Sequence, residues 1–147
     1  MYNHILITTD GSAHSAKSVD QGLKLAQKLN SKATIITVTA PYTISGLPGG
    51  WTDTQAFIDQ YEEEWKDFAE KTLSEAKKRA DELNVAVETM HTSDISAADS
   101  ILEASKKLGC DLIVMASHGR TGLKRMLLGS QTNEVINMSE VPVLVVR

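Results

Sequence analysis

The segment CDLIVMASHGRTGLKRMLLGSQTNEV, residues 110–135, decides how the rest of the chain is read. Its opening, CDLIVMAS (110–117), is the most apolar β-rich run in the sequence, as expected of a strand covered on both faces. A loop bearing Gly119, Gly122 and Gly129 follows, and a helix containing Val135, Ile136 and Met138 is predicted to open near Ser130. Glycine lets backbone amides come close to an anion, and a helix N-terminus adds unpaired N–H groups and a favourable dipole. Gly129-Ser130 therefore stands where amides and a hydroxyl would meet a phosphate. The same residues also suffice to shape a loop and cap a helix.

Upstream, HILITTD (4–10) is a short β-rich run that stops at the turn signal Asp10-Gly11-Ser12. Ala13, Ala16, Val19, Leu23, Ala26 and Leu29 then recur at helical spacing. SKATIITVTAP (31–41) reads as a second strand ended by Pro41, and PYTISGLPGGW (41–51) as a loop. A long helix follows, with Phe57, Tyr61, Trp65, Phe68, Leu73, Ala76, Ala80 and Leu83 near one stripe and a solvated, charged outer face. NVAVETMH (84–91) is a third strand. Asp94 or Ser96 caps the next helix, which runs to Leu108, with Ser96 and Asp99 spaced as a capping box. VPVLVVR, restarted after Pro142, is a fifth strand.

Strand and helix alternate without tandem strand pairs, which indicates one α/β domain over residues 1–147, a five-stranded parallel sheet with helices on both faces. If the strand order is 3-2-1-4-5, the first and fourth strands are neighbours at a reversal of winding. Asp10 and Gly119 would then flank the crevice where such sheets bind ligands.

The bulk properties exclude several classes. With 147 residues, 41% of them hydrophobic and 23% charged, the chain has the balance of an ordinary globular protein. A net charge of −4 argues against a nucleic-acid binder but leaves a phosphate site open, since backbone amides need no net positive charge. Cys110 is the sole cysteine and fits a reducing compartment. No signal-peptide pattern and no run of about 20 apolar residues is found, so a cytoplasmic protein without membrane insertion is expected. The loop is not a Walker A motif, because Gly129 is followed by Ser130 and Gln131. The first strand is followed by D-G-S-A-H-S rather than G-x-G-x-x-G. The four histidines (4, 14, 91, 118) show no metal-ligand spacing. His118 has no nucleophile and orienting acid that the sequence pairs with it, so no catalytic residue is assigned. Asp10 is placed either to accept from ribose hydroxyls, to position a cation, or to bond its own turn. Arg120, Lys124 and Arg125 form the local basic cluster, facing either phosphates or solvent.

At these residues the chain resembles the universal stress protein family, over essentially its whole length. The family's first strand ends Pro-x-Asp-Gly-Ser; here it is Thr8-Thr9-Asp10-Gly11-Ser12. The family's G-x-x-G, nine residues, then G-[ST] corresponds to Ala116-Ser117-His118-Gly119, the nine residues 120–128, and Gly129-Ser130. The closing Val141-Pro142-Val143-Leu144-Val145-Val146 is also similar. The resemblance implies a Rossmann-like fold of the adenine nucleotide alpha hydrolase type with strand order 3-2-1-4-5. It implies an ATP site, with Mg²⁺ or Mn²⁺ accompanying the phosphates. The residues carried over to that site are Thr8, Asp10, Val38, Thr39, Met115, Ala116, Gly119, Arg120, Gly129, Ser130, Gln131 and Thr132. It further implies a homodimer, or a higher oligomer built on it, through the C-terminal strand near Val143–Val145. A protein partner is implied as well, membrane transporters being one class of partner in the family. The expected output is regulatory and nucleotide-dependent, with at most slow ATP hydrolysis or autophosphorylation. Two residues depart from the family pattern: Thr8 replaces proline and Ala116 replaces the first motif glycine. A methyl at Ala116 would strain a backbone of positive φ by about 1 kcal/mol, but is accommodated at negative φ. A nucleotide-free dimeric interaction protein of the same fold is the alternative that these departures keep open.

Overall fold

Successive residues of a strand point to opposite faces, so a run such as Ile5-Leu6-Ile7 stays in one sheet only if both faces are covered. All three side chains are fully buried. The computed structural model, which describes residues 1–43, 54–119 and 128–147, shows how. Five strands, β1 (His4–Thr8), β2 (Lys32–Thr39), β3 (Val87–Ser93), β4 (Leu112–Ala116) and β5 (Val143–Val146), alternate with four helices. The helices are α1 (Ala13–Leu29), α2 (Gln55–Glu82), α3 (Ala97–Leu108) and α4 (Ser130–Met138). Every pairing is parallel, as the alternation of elements led one to expect, and the order is β3-β2-β1-β4-β5, as the family resemblance implied.

Ile5, Ile7, Ala33, Ile35, Leu112 and Val114 pack with Val19, Leu23 and Ala26 of α1 and with Leu73, Ala76 and Ala80 of α2. Leu6, Ile36, Ile113 and Met115 go to the other side, against Ala98, Ile101 and Ala104 of α3 and Val135 of α4. Gly22 lies where α1 crosses β1. A Cβ there would fall 2.8 Å from both Cγ1 and Cδ1 of Ile7, so the missing side chain sets how closely helix and sheet approach. Among the described residues no helix is long and apolar enough to cross a membrane.

Several boundaries differ from the sequence expectation for local reasons. β1 ends at Thr8 and β2 at Thr39, leaving Asp10 and Pro41 outside the strands. α2 begins at Gln55 because the Thr54 side chain accepts from the Phe57 amide. The third strand starts at Val87 rather than residue 84. Asn84, with φ 55°, turns the chain out of α2, and Val85 still donates to the Ala80 carbonyl. Of the two cap candidates for α3, Ser96 is the N-cap, accepting from the Asp99 amide at 3.1 Å. The capping box is not reciprocal, because the Ser96 amide bonds Asp94 Oδ1 at 3.2 Å instead. Residues 44–53 of the expected loop lie outside the described residues.

Asp111, just before β4, accepts from the backbone amides of Asn3 and His4 and so ties β4 to the start of β1. The Asn3 amide, followed by that of His4, holds its carboxyl below the ordinary carboxylate range. A depressed folded-state pKa stabilises above the unfolded value, about 3.9, and that contribution is lost as pH falls through the folded value. Asp111→Asn is therefore expected to cost about 1 kcal/mol at neutral pH. It should also show a shallower loss of stability below about pH 4 than the parent, read by urea denaturation across pH. Gly22→Ala gains about 1 kcal/mol of helix propensity but overpacks Ile7 by about 1–3 kcal/mol. A lowered thermal midpoint is the expected outcome.

Candidate functional site

The loops leaving the carboxyl ends of β1 and β4 diverge to opposite faces of the sheet, and a cavity of about 340 Å³ opens between them. That volume lies at the lower end of the usual range for small-molecule sites. One side is apolar, formed by Ile36 and Val38 of β2, Met115 of β4, and Ala97 and Ile101 of α3. The other is polar, formed by Thr9, Asp10, Ser15, His118, Gly119 and the first turn of α4.

The Asp10 turn is held by hydroxyls. The Ser12 amide donates to Asp10 Oδ1 at 2.9 Å, the Asp10 amide donates to Ser15 Oγ at 3.3 Å, and Thr9 Oγ1 lies 3.1 Å from Ser15 Oγ. Gly11 has φ +79° and sits against α2, where a Cβ would lie 3.0 Å from Phe68 Cζ and Thr72 Oγ1. Across the crevice, a Cβ on Gly119 would fall 2.8 Å from Asp10 Oδ2. Glycine at 119 is thus what lets the loop after β4 close on the Asp10 carboxylate.

The helix N-termini around this cavity are not equivalent. At α1, Ser12 accepts from the Ser15 amide. At α3, Ser96 accepts from Asp99, and Gln131 Oε1 accepts from the Ala98 amide at 2.9 Å. The N-cap of α4 is Gly129, which offers no side-chain cap bond, and among the described residues none is seen to its first turn. Ser130 is thus the first residue of α4 and not its cap, and the α4 amides face the cavity as donors. Gly129 is itself tightly placed, donating to the Ser117 carbonyl at 2.7 Å, where a Cβ would meet that oxygen at 3.3 Å.

Most of the residues named from the sequence come together. Thr8, Asp10, Val38, Met115, Ala116, Gly119, Gly129, Ser130, Gln131 and Thr132 all line the cavity. Thr39 does not. As the next residue along β2 it faces away from Val38, with its hydroxyl 2.8 Å from His91 Nε2 and its carbonyl accepting from Asp94. Arg120, with Gly122, Lys124 and Arg125, lies outside the described residues. The Thr132 hydroxyl is used internally, donating to the Ala116 carbonyl at 2.9 Å. Ala116 itself ends β4, and the only non-glycine residues of positive φ among those described are Asn30 and Asn84. Its methyl therefore lines the cavity without backbone strain.

Sequence reasoning did not assign Thr9, Ser15, Ile36, Ala97 or Ile101 to the site. The spacing Ser12-x-x-Ser15 was a legible N-terminal signal for Ser15, but which apolar side chains face a crevice depends on strand and helix packing. Away from the site, Cys110 is buried and its thiol is pushed up to about 11, chiefly by desolvation, so it stays protonated. Among the described residues no group of three or more His, Cys, Asp or Glu side chains is arranged to hold a metal ion.

A parallel sheet of order 3-2-1-4-5, with an apolar slot and an uncapped helix N-terminus at its switch point, defines the class of α/β proteins that bind a nucleotide or similar anion there. The chain belongs to the universal stress protein family, whose sequence pattern matches residues 1–147. It is 38% identical over 149 residues to the universal stress protein YxiE of Bacillus subtilis, covering both chains completely. It is 30% identical over 159 residues to the universal stress protein MJ0577 of Methanocaldococcus jannaschii, covering 100% of this chain and 96% of that one. The MJ0577 structure superposes with a TM-score of 0.79 over 99% of this chain and 96% of that one. A universal stress protein solved in complex with cAMP, 24% identical, superposes with a TM-score of 0.73 over 99% and 97% of the two chains.

Replacing Gly119 by alanine is expected to displace the Asp10 carboxylate without unfolding the chain. The side-chain carboxyl carbon resonance of Asp10 should move, while the thermal midpoint shifts by no more than the equivalent of about 1 kcal/mol.

Proposed function

We propose that the protein binds an adenine nucleotide, ATP in particular, in the β1–β4 crevice and acts as a nucleotide-dependent regulatory protein. The observation that carries this reading is the uncapped first turn of α4 at Gly129–Thr132, which opens into the same cavity as the apolar slot of Ile36, Val38 and Met115. An aromatic base gains from the apolar side, and phosphate oxygens gain from amide donors and the helix dipole. Asp10, which lines the same cavity, would accept from the ribose hydroxyls. Mg²⁺ or Mn²⁺ would ride on the phosphates, with Asp10 the nearest carboxylate among the described lining residues. The family relationship and a relative of the same fold carrying a cyclic adenine nucleotide support the reading.

The fold also leaves β5 at one edge of the sheet, with Leu144 40% exposed. An apolar edge strand is stabilised by pairing with a second copy, which supports a homodimer through Val143–Val146. Nucleotide occupancy would then be transmitted to a protein partner from a cytoplasmic dimer.

Gly129→Val tests the site, because its φ of −66° and ψ of 156° suit a β-branched residue while the added side chain presses on the Ser117 carbonyl and on the backbone of His118 and Gly119, which line the cavity. Gently purified parent protein should release an adenine nucleotide on denaturation, or give a saturable Mg-ATP isotherm. The variant should keep its circular dichroism spectrum and lose binding. A parent protein that carries no nucleotide and gives no heat at millimolar Mg-ATP would overturn the proposal.

A further inference from the structure

The polar end of the cavity continues outward past the residues so far assigned. His118 lines it, and Ser117 Oγ lies 3.0 Å from His118 Nδ1, which fixes the ring; Ser117 is itself only 3% exposed. Beyond it, on the first turn of α1, stands the exposed His14. The two rings have centroids 6.3 Å apart and are tilted by 53°. They come from different elements, one from the loop after β4 and one from the helix after β1, and only His118 of the two lines the cavity itself. An imidazole N–H donates to a phosphate oxygen at about 2.8 Å. Two rings at this separation and tilt are within reach of a single oxygen placed between them. The ionisable side chains facing this end, among the described lining residues, are His118 and the Asp10 carboxylate, which already accepts from the Ser12 amide. An anion leaving the α4 amides toward α1 thus passes a carboxylate and needs donors on its far side, which is where His14 and His118 stand.

We propose that His14 and His118 together form the outer subsite for the distal phosphates of a nucleoside polyphosphate, and so make the site discriminate against monophosphates and cyclic monophosphates. The inference rests on the nucleotide reading of the same cavity. The α4 amides serve the phosphate nearest the nucleoside, which every such ligand carries. The histidine pair serves only what extends beyond it. Two side chains outside the α4 turn thus contribute to selectivity for chain length.

Calorimetric titrations of the full chain with Mg-ATP, ADP, AMP and cAMP decide the matter. Parent protein should prefer ATP to AMP. His14→Ala should weaken ATP about fivefold, the loss of about one hydrogen bond, and leave AMP within about twofold. His14→Gln, which keeps an N–H donor, should recover most of that loss. His118→Ala should behave alike, but because it adjoins the loop glycines the exposed His14 is the decisive position. The ring proton signals of both histidines should move on adding ATP and stay in place on adding AMP. An unchanged ATP-to-AMP ratio in His14→Ala, or equal loss of both ligands, would sink the subsite while leaving the nucleotide site standing. A parent protein that binds none of the four would overturn both.

Discussion

β1 is the member of this fold on which everything else depends. It is hydrogen-bonded on one edge to β2 and on the other to β4, and helices cover both its faces, so Ile5, Leu6 and Ile7 have no contact with water. A strand buried on four sides must satisfy its backbone entirely within the sheet and cannot slip by one residue without turning each side chain into the opposite core. Right-handed crossovers then send the chain from β1 to one side and bring it to β4 on the other. The gap between their loops follows from that reversal of winding. The cavity is in this sense a consequence of burying β1.

What the molecule does with that gap is an accounting of amide donors. Three helices point their N-termini toward it, and an unbonded buried amide is costly. α1 and α3 resolve the cost with serines 12 and 96, and Gln131 reaches from α4 to bond Ala98 as well. α4 leaves its donors facing the cavity, because Gly129 has no side chain to offer and Thr132 turns its hydroxyl back to Ala116. Gln131 thus has two roles, with its amide in the α4 turn and its side chain locking α3 beside it. The locking matters because Ala97 and Ile101 of α3 form the apolar wall opposite the polar loop. The apolar wall and the first turn of α4 are therefore tied to one another.

Glycines at three positions set the closeness of approach. Gly22 brings α1 onto Ile7, Gly11 adopts a positive φ beneath Phe68, and Gly119 admits the Asp10 carboxylate. Each is a case in which the nearest neighbour would collide with a Cβ, and each belongs to the β1 end of the structure. The departures from the family pattern act elsewhere. Ala116 keeps negative φ at the end of β4, so its extra methyl adds apolar surface to the cavity rather than strain.

The element types, their order and the parallel sheet were legible in the sequence, since continuous apolar runs and helical periodicity both report burial. Asp10, Gly119 and Gly129 were legible too, because turn and glycine signals are local. Thr39 was carried over to the site with Val38, yet neighbouring strand residues face opposite sides and only Val38 reaches the cavity. The start of β3 was misjudged because Asn84 at positive φ extends the exit of α2, a conformation asparagine favours but the strand reading passed over. Nothing in the spacing of Asp111 and Asn3, 108 residues apart, or of His14 and His118, foretold their meeting. By itself the sequence determined which segments must be buried and where the chain must turn, because hydrophobic periodicity and turn chemistry act over a few residues. Only the tertiary structure decided which helix end stays uncapped, which side chains share the crevice and which face each one meets, because those depend on packing between segments that the chain brings together from a distance.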